Sequence, residues 1–176
     1  MKRTEIIISG LGGQGVILAG QILGKAAVYD GKNAVQTQSY GAEARGSAAK
    51  SEIIISNGKT GFPAVRKCDI LIAMSQEAVD KHAKDLKEEG FLIIDSTSVR
   101  KIPDTKATVV QIPATETAEK TFRSNMYANM LILGAITRTT GIVTPKAARK
   151  AIEDTVSQKY VSINLQAYEK GRELVQ

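Results

Sequence analysis

The sequence predicts an α/β fold, a three-layer protein with a largely parallel sheet flanked by helices and a Rossmann-like start. Residues 5–9 carry a β-branched apolar core typical of a buried strand, and glycines and an apolar helix follow at once. Further short apolar segments alternate with helical stretches along the chain. No repeat, low-complexity segment or linker interrupts this alternation, so residues 1–176 are expected to form a single domain.

The glycine-rich stretch after the first strand is the main local signal. Gly10, Gly12 and Gly15 match G-x-G-x-x-G between a strand and a helix, which is the context that this motif needs. Glycines let a ligand approach backbone N–H groups, and the helix N-terminus adds partial positive charge. The stretch is therefore expected to stabilise a phosphate or carboxylate, with Gly13 widening the access and Gln14 as an added donor. A tight turn without a ligand is the alternative.

A nicotinamide-binding unit would also need an acid at the end of the second strand, about twenty residues further on. Asp30 has this spacing, but Asp30-Gly31 is typical of a helix end, and the second predicted strand, over residues 34–38, contains no acid. The motif therefore favours an anion other than a nicotinamide dinucleotide. A stand-alone dinucleotide-binding oxidoreductase domain is kept as an alternative.

The remaining elements follow from apolar segments and the residues that bound them. The first helix, over residues 16–28, is apolar nearly all round, which predicts that a further layer or a partner chain covers its outer side. Ser75 caps a helix over residues 76–89 that Gly90 stops, and Thr144 caps a later one. The other predicted elements are strands over residues 49–56, 68–74, 91–95 and 107–112, a buried helix over 125–139 and a last helix from about Val161.

Composition and charge limit the classes of function. The net charge is +6, and residues 101–150 hold eight basic and three acidic side chains, enough for a patch that binds an anionic ligand or an acidic partner. No nucleic-acid motif occurs, and basic and aromatic residues are not interleaved. No apolar run is long enough to span a bilayer, and the start lacks the features of a signal peptide. We expect a cytoplasmic protein that binds neither nucleic acid nor membrane.

The single cysteine and the single histidine predict little chemistry. One cysteine, Cys68, excludes an intrachain disulfide and any cysteine-based iron–sulfur or structural zinc site, and its apolar neighbours indicate a small buried side chain. His82 falls in a polar helix without an evident partner, so a solvated or partly packed histidine is favoured over a catalytic one. We therefore predict no catalytic or metal-binding residue.

A second candidate segment, residues 39–47, follows the second strand and combines glycines with a phenol, a carboxylate and a guanidinium. Glu43 and Arg45 are close enough to form a local ion pair, which is one interpretation. The other is a recognition loop at the carboxyl edge of the sheet, where open α/β sheets bind ligands. In that case Tyr40, Glu43 and Arg45 would lie beside the glycine turn, since both segments would follow adjacent strands, and Arg45 would contact an anion or a carboxylate of a partner.

These two segments together resemble a known family. The stretch Gly10-Leu11-Gly12-Gly13-Gln14-Gly15, the segment from Ser39 to Ser47, and Asn125-Met126 ahead of Leu133-Gly134-Ala135 are similar to the gamma subunit of 2-oxoacid:ferredoxin oxidoreductases, the group acting on pyruvate, 2-oxoglutarate, 2-oxoisovalerate and indolepyruvate. The resemblance covers nearly the whole chain. Ser47 stands where the family usually has a second glycine after the arginine.

The resemblance implies an activity that belongs to a multisubunit enzyme. The complete enzyme would convert a 2-oxoacid and coenzyme A to acyl-coenzyme A and CO2 while reducing ferredoxin, with thiamine diphosphate, magnesium and iron–sulfur clusters on the partner subunits. This chain would complete the assembly and serve the coenzyme A side, with no cofactor of its own. Coenzyme A is the ligand expected at a site of Gly10, Gly12, Gly13, Gln14, Gly15 and Arg45. A purely structural subunit, with glycines that serve packing only, is the further alternative.

Overall fold

The structure, a computed structural model, describes residues 3–42, 46–61 and 64–175. Within these residues the chain forms a mixed six-stranded sheet with six α-helices on its two faces. The strands are β1 (Arg3–Leu11), β2 (Asn33–Tyr40), β3 (Ala48–Ser56), β4 (Cys68–Ala73), β5 (Leu86–Asp95) and β6 (Thr108–Ile112). The helices are α1 (Val16–Tyr29), α2 (Gln76–His82), α3 (Ala114–Phe122), α4 (Ala128–Thr140), α5 (Pro145–Glu153) and α6 (Val161–Glu173). This confirms the predicted α/β class.

The sheet has the spatial order β2-β3-β1-β4-β5-β6 and is mostly parallel. β1, β4, β5 and β6 run parallel, whereas β3 is antiparallel to both β1 and β2. Residues 41–47 alone join β2 to β3, and a connection this short links antiparallel strands, because a parallel pair needs a crossover of about a dozen residues or more. β3 therefore lies between β1 and β2, and the expectation that these two strands are adjacent is wrong.

The helix predicted over residues 76–89 is shorter than expected. α2 ends at His82, a single 3-10 turn (Ala83–Asp85) follows, and β5 already begins at Leu86. Gly90, predicted to stop the helix, lies inside β5, where an added Cβ would come within 2.7 Å of the Asp69 backbone oxygen. The sequence pattern fails here because the first part of β5 is polar and exposed, so it lacks the apolar signature of a strand.

α3 was not predicted from the sequence. Its buried residues are only Ala114 and Ala118, so the segment lacks the large apolar side chains that reveal an amphipathic helix. Its start is instead stabilised by tertiary contacts to the residues that follow β5. The start of this helix contributes Thr115 to the wall of a cavity at the carboxyl edge of the sheet.

The isoleucine run of β1 is the centre of the core. Ile6, Ile7 and Ile8 are 0, 2 and 0% exposed, as expected for a strand with both faces covered. Ile6 and Ile8 belong to the apolar cluster packed against α1, α3, α4, α5 and α6, and Ile7 to a smaller cluster packed against α2. The sheet therefore separates a thick helical layer from a thin one.

The apolar first helix is covered by this chain itself. α1 packs on β1, β2 and β3 with one side and on α4 and α5 with another. Of the two explanations that the sequence left open, a further layer of the same chain accounts for its burial. Val28 and Tyr29, at the end of α1, are the exposed exceptions, with 55% and 37% of their surface accessible.

Two glycines let α4 and α6 approach closely. An added Cβ at Gly134 would lie 2.1 Å from the Tyr168 backbone oxygen, and one at Gly171 would lie 1.9 Å from that of Leu131. Residues 128–137 of α4 are all buried, so the helix has no room to move away from α6. The contact is therefore backbone to backbone.

This crossing predicts opposite effects of one substitution at two helical glycines. Gly171→Ala should lower the free energy of unfolding by about 1–3 kcal/mol or more, since the methyl group forces two backbones apart. Gly24→Ala in α1 should raise it by about 0.8–1 kcal/mol, because its Cβ would make only an ordinary 3.9 Å contact with Ala34. Urea denaturation measures both, and equal stability of the Gly171→Ala variant and the parent would contradict this packing.

Candidate functional site

The glycine turn joins the end of β1 to the start of α1. Gly13 and Gly15 have φ angles of 89° and 73°, in the left-handed region that side chains disfavour. An added Cβ at Gly13 would meet nothing within 4 Å, whereas one at Gly15 would come within 2.3 Å of the Asn129 amide nitrogen. Gly13 is therefore needed for its backbone conformation, and Gly15 both for its conformation and for space.

Two of the predicted ligand-binding amides are used within the chain. The Gly12 N–H donates to the Ser47 backbone oxygen at 2.7 Å, and the Gln14 N–H donates to that of Leu11 at 3.1 Å. In the part of the chain that the structure describes, the N–H groups of Gly13 and Gly15 have no acceptor. The first N–H groups of α1 add donors at the same end, since a helix leaves its first turn unpaired. The turn therefore offers an anion the amides of Gly13, Gly15 and the helix start.

Gln14 holds the shape of the turn. Its side-chain oxygen accepts from the Leu11 N–H at 2.6 Å, and its amide nitrogen donates to the Met74 backbone oxygen at 3.0 Å. Only one N–H of the Gln14 side-chain amide is left for a ligand. Gln14 therefore contributes more to the structure of the turn than to ligand binding. Gly10 is buried beneath the turn, where an added Cβ would lie 2.5 Å from the Gln14 side-chain oxygen. Gly10 thus makes room for Gln14 and does not line a site.

A cavity of about 290 Å³ borders the turn at the carboxyl edge of the sheet. Gly12 and Gly13 are exposed on one side of it. Its other walls come from the loop between β2 and β3, from the segments that follow β4, β5 and β6, and from the region around the start of α4. This agrees with the position of ligand sites in open α/β sheets. The residues of these walls are Gly46, Met74, Ser98, Thr115, Asn125 and Ala128.

A buried carboxylate supports the wall opposite the glycine turn. Asp95, at the end of β5, has no exposed surface. It accepts hydrogen bonds from the N–H of Thr97 at 3.1 Å, from the N–H of Thr115 at 3.3 Å and from the hydroxyl of Thr115 at 2.5 Å. Sequence reasoning missed Asp95 as a site residue. The available signal was an acid that closes an apolar strand ahead of Ser96-Thr97-Ser98, a composition that favours side-chain-to-backbone turns.

The second predicted segment is only partly described. Glu43, Ala44 and Arg45 lie outside the described residues. The second end of the loop lies beside the glycine turn, because Ser47 accepts from Gly12 and Gly46 lines the cavity. Tyr40, which was also expected beside the turn, is exposed and lines a different small pocket of about 140 Å³ with Ser9, Lys50 and His82.

The basic residues of segment 101–150 do not form the wall of this cavity. Within the described residues, no lysine or arginine lines it. Several of them are paired with carboxylates instead: Lys106 with Glu88 at 2.9 Å, Arg149 with Glu169 at 2.5 Å, and Lys120 with Glu116. The expected patch therefore does not contribute charge to the glycine turn.

Cys68 and His82 are both buried. Burial raises the pKa of the Cys68 thiol to about 12, in agreement with a small apolar side chain rather than a reactive thiol. His82 is 6% exposed, so of the two expected environments, solvated or partly packed, the structure has a packed side chain. Burial, followed by the positive charges of Lys50 and Lys81, lowers the pKa of His82, against the opposing effect of Asp85 at 3.8 Å.

Neither a metal centre nor a membrane helix is found in the described ranges. Their histidine, cysteine and acidic side chains form no group of three or more that would hold a metal ion. Among the helices described, none combines the length and the apolar character needed to cross a bilayer.

Comparison with known proteins identifies the family of this chain. The model of the family described as pyruvate ferredoxin/flavodoxin oxidoreductase matches residues 5–174. The 2-oxoglutarate synthase subunit KorC of Methanocaldococcus jannaschii is 49% identical over 175 residues, which cover 98% of this chain and 94% of that protein.

Two solved structures have the same fold. The gamma subunit of a keto/oxoacid ferredoxin oxidoreductase from Geobacter sulfurreducens PCA is 46% identical with a TM-score of 0.86, and the match covers 97% of this chain and 96% of that one. The 2-oxoglutarate:ferredoxin oxidoreductase from Magnetococcus marinus, with 2-oxoglutarate, coenzyme A and succinyl-CoA bound, has a TM-score of 0.88 at 23% identity, over 99% of this chain and 31% of that one. At that identity the likeness shows the fold alone.

The burial of His82 predicts a pH dependence of stability. Because its pKa is lowered in the folded state, the unfolded chain binds a proton below pH 6.5 that the folded chain does not bind. The free energy of unfolding should therefore fall as the pH drops from 7.5 to 5.5, by at most about 1.4 kcal/mol per pH unit for one proton. His82 is the single histidine, so His82→Gln should flatten this dependence in urea denaturation. A free energy of unfolding of the parent protein that does not change between pH 7.5 and 5.5 would contradict the prediction.

Proposed function

This chain belongs to the pyruvate ferredoxin/flavodoxin oxidoreductase family and is a gamma subunit of a 2-oxoacid:ferredoxin oxidoreductase complex, and from this we propose that it serves the coenzyme A side of the reaction. In this proposal the complex converts a 2-oxoacid and coenzyme A to acyl-coenzyme A and CO2 and reduces ferredoxin. Thiamine diphosphate, magnesium and iron–sulfur clusters belong to its other subunits. The glycine turn of this chain binds a phosphate of coenzyme A.

The observation that carries the proposal is the glycine turn itself. The amides of Gly13 and Gly15, which have no acceptor among the described residues, lie at the N-terminus of α1, beside a cavity that opens at Gly12 and Gly13. Unpaired N–H groups at a helix start attract anions, and coenzyme A carries a pyrophosphate and a further phosphate. The 2-oxoglutarate:ferredoxin oxidoreductase of Magnetococcus marinus, which shares this fold, was solved with coenzyme A bound.

The turn alone would bind weakly. A helix dipole contributes about 0.3–1 kcal/mol per anionic group at an exposed site, and the described walls of the cavity supply no basic side chain. We propose that the remaining attraction comes from Arg45, which precedes the cavity residue Gly46 in the sequence, and from a partner subunit. An arginine suits this role, because its guanidinium binds phosphate or carboxylate through two parallel hydrogen bonds.

Binding of a nicotinamide dinucleotide is less well supported. β3 lies between β1 and β2, so the end of β2 is not next to the turn, where the acid for the ribose would be needed. Asp30 is engaged elsewhere: its carboxylate accepts from the N–H and the hydroxyl of Thr144, each at 2.6 Å. A stand-alone dinucleotide-binding oxidoreductase would therefore lack the acidic residue that contacts the ribose.

The substrate is proposed from the relatives. The subunit from Methanocaldococcus jannaschii, 49% identical over nearly its whole length, is named for 2-oxoglutarate synthase. We therefore propose 2-oxoglutarate as the 2-oxoacid. The assembled complex should have a higher kcat/KM for 2-oxoglutarate than for pyruvate or 2-oxoisovalerate, and the reverse order would remove this assignment while leaving the role of the chain untouched.

Substitution in the turn tests the coenzyme A role. Gly13→Val should raise the KM for coenzyme A of the assembled complex at least tenfold, because the side chain covers the amides that hold the phosphate. Gly31→Val is a matched control. Gly31 has a φ of 76° with open space around it and lies at the other edge of the sheet, so the control carries a similar backbone strain without touching the cavity.

The comparison of the two variants separates binding from packing. Equal KM values for coenzyme A in Gly13→Val, Gly31→Val and the parent complex would mean that the turn is structural. The purely structural subunit would then be the better description of this chain.

The isolated chain is predicted to lack 2-oxoacid oxidation. It has one cysteine, and that cysteine is buried, so it cannot hold an iron–sulfur cluster for electron transfer to ferredoxin. Purified chain mixed with 2-oxoglutarate, coenzyme A and methyl viologen should show no reduction of the dye, whereas addition of the other subunits should restore it. Dye reduction by the chain alone would contradict the proposed division of labour.

A further inference from the structure

We propose that the wall opposite the glycine turn, formed by Ser98 and Thr115 and held by Asp95, recognises an uncharged N–H or O–H group of the same ligand. This inference rests on the proposed function of the cavity and adds a second contact to it. Asp95 is a positioning residue in this arrangement, because it has no exposed surface and acts through its neighbours.

The first step is the rigidity of the wall. A buried carboxylate is tolerated only when its oxygens accept hydrogen bonds, and Asp95 obtains these from Thr97 and Thr115. Its backbone oxygen also accepts from the N–H groups of Ser98 at 3.0 Å and Val99 at 2.9 Å. The start of α3 is tied further by the Glu116 N–H, which donates to the Thr97 hydroxyl at 3.1 Å. Asp95 thereby locks the segment after β5 to the segment after β6.

The second step is the hydrogen-bonding character of the wall. A threonine hydroxyl has one proton and two lone pairs. The proton of Thr115 is donated to Asp95, so the hydroxyl oxygen of this wall residue can only accept a hydrogen bond from a ligand. The Ser98 hydroxyl makes no hydrogen bond to any residue that the structure describes and is free to turn towards a ligand. The wall therefore suits a ligand group that donates.

The third step is charge. The described walls hold no lysine or arginine, and the carboxylate of Asp95 stands behind Thr115. A phosphate on this side would meet an acceptor and a nearby negative charge, whereas on the glycine side it would meet N–H groups that have no acceptor among the described residues. The two sides thus orient a ligand that has an anionic group at one end and a neutral donor at the other.

The fourth step is size. A cavity of about 290 Å³ is at the lower limit of small-molecule sites, so it holds one part of coenzyme A and not the whole molecule. Coenzyme A has neutral donors on both sides of its pyrophosphate, in the adenosine moiety and in the amides of the pantetheine arm. Both share the chemistry required, a phosphate next to an N–H or O–H donor.

The experiment uses the assembled complex and three variants of this chain. Thr115→Val removes the acceptor at nearly constant volume, Thr115→Ser keeps the hydroxyl, and Ser98→Ala removes a hydroxyl that has no partner among the described residues. Thr115→Val should raise the KM for coenzyme A by about five- to tenfold with a smaller effect on kcat, and Thr115→Ser should stay within about twofold of the parent. Ser98→Ala should raise the KM about threefold or more.

Competition assays then identify the part of the ligand. ADP and 4′-phosphopantetheine are tested as inhibitors against coenzyme A in the parent and in Thr115→Val. If only ADP inhibits the variant more weakly than the parent, the wall contacts the adenosine side of coenzyme A. If only 4′-phosphopantetheine does so, the wall contacts the pantetheine side. Unchanged inhibition by both compounds contradicts the inference.

The outcomes also distinguish this inference from the proposed function. If Gly13→Val raises the KM for coenzyme A while Thr115→Val and Ser98→Ala do not, the wall is structural and the coenzyme A role of the turn stands. If none of the three changes the KM, the proposed function fails as well. Should Thr115→Val fail to assemble because Asp95 loses a donor, Ser98→Ala decides the question by the same measurement.

Discussion

The candidate site at the carboxyl edge of the sheet depends on the two hydrogen bonds made by the Gln14 side chain. Its oxygen accepts from Leu11 at the end of β1, and its nitrogen donates to Met74, the residue that follows β4. A side-chain amide that satisfies two backbone groups at once fixes the turn relative to the sheet. Gly10 has to be a glycine for this contact to exist, since a side chain there would collide with Gln14.

The other walls of the cavity are held by separate hydrogen bonds. With the turn held in place, the Gly12 N–H reaches Ser47 and brings the loop after β2 to the same edge. The opposite wall is held independently by Asp95, which joins the segments after β5 and β6. The cavity thus lies between two sides with different electrostatic character. One side has N–H groups without an acceptor in the described part of the chain, and the other is a neutral wall backed by a carboxylate.

The antiparallel strand β3 distinguishes this fold from a dinucleotide-binding Rossmann unit, although the strand, glycine turn and helix at its start are similar. In a dinucleotide-binding unit the second strand neighbours the first and supplies the acid for the ribose. Here the short hairpin of residues 41–47 inserts β3 between them, and the loop itself reaches the turn. The same glycine pattern therefore has different neighbours here, since a loop and not the end of an adjacent strand lies beside the turn.

The apolar helices α1 and α4 do not by themselves indicate a surface that binds a partner subunit. Both helices are apolar nearly all round, and both are covered by elements of this chain, α4 by α6 and α1 by α5. Their composition alone is thus no evidence of an interface. Membership of a multisubunit enzyme rests instead on the family and on the relatives from Methanocaldococcus jannaschii and Geobacter sulfurreducens, 94% and 96% of whose chains are covered by the match.

The sequence by itself determined the α/β class, the strand, turn and helix around Gly10 to Gly15, and the family, because each depends on local patterns such as β-branched runs, glycine spacing and helix caps. It missed the strand start at Leu86 and the helix at Ala114, where small or polar residues leave no apolar period. Only the tertiary structure decided that Gly12 is paired, that Gln14 is structural and that Asp95 supports the cavity. These facts depend on residues up to 60 positions apart that meet only when the strands align, and no local pattern encodes such contacts.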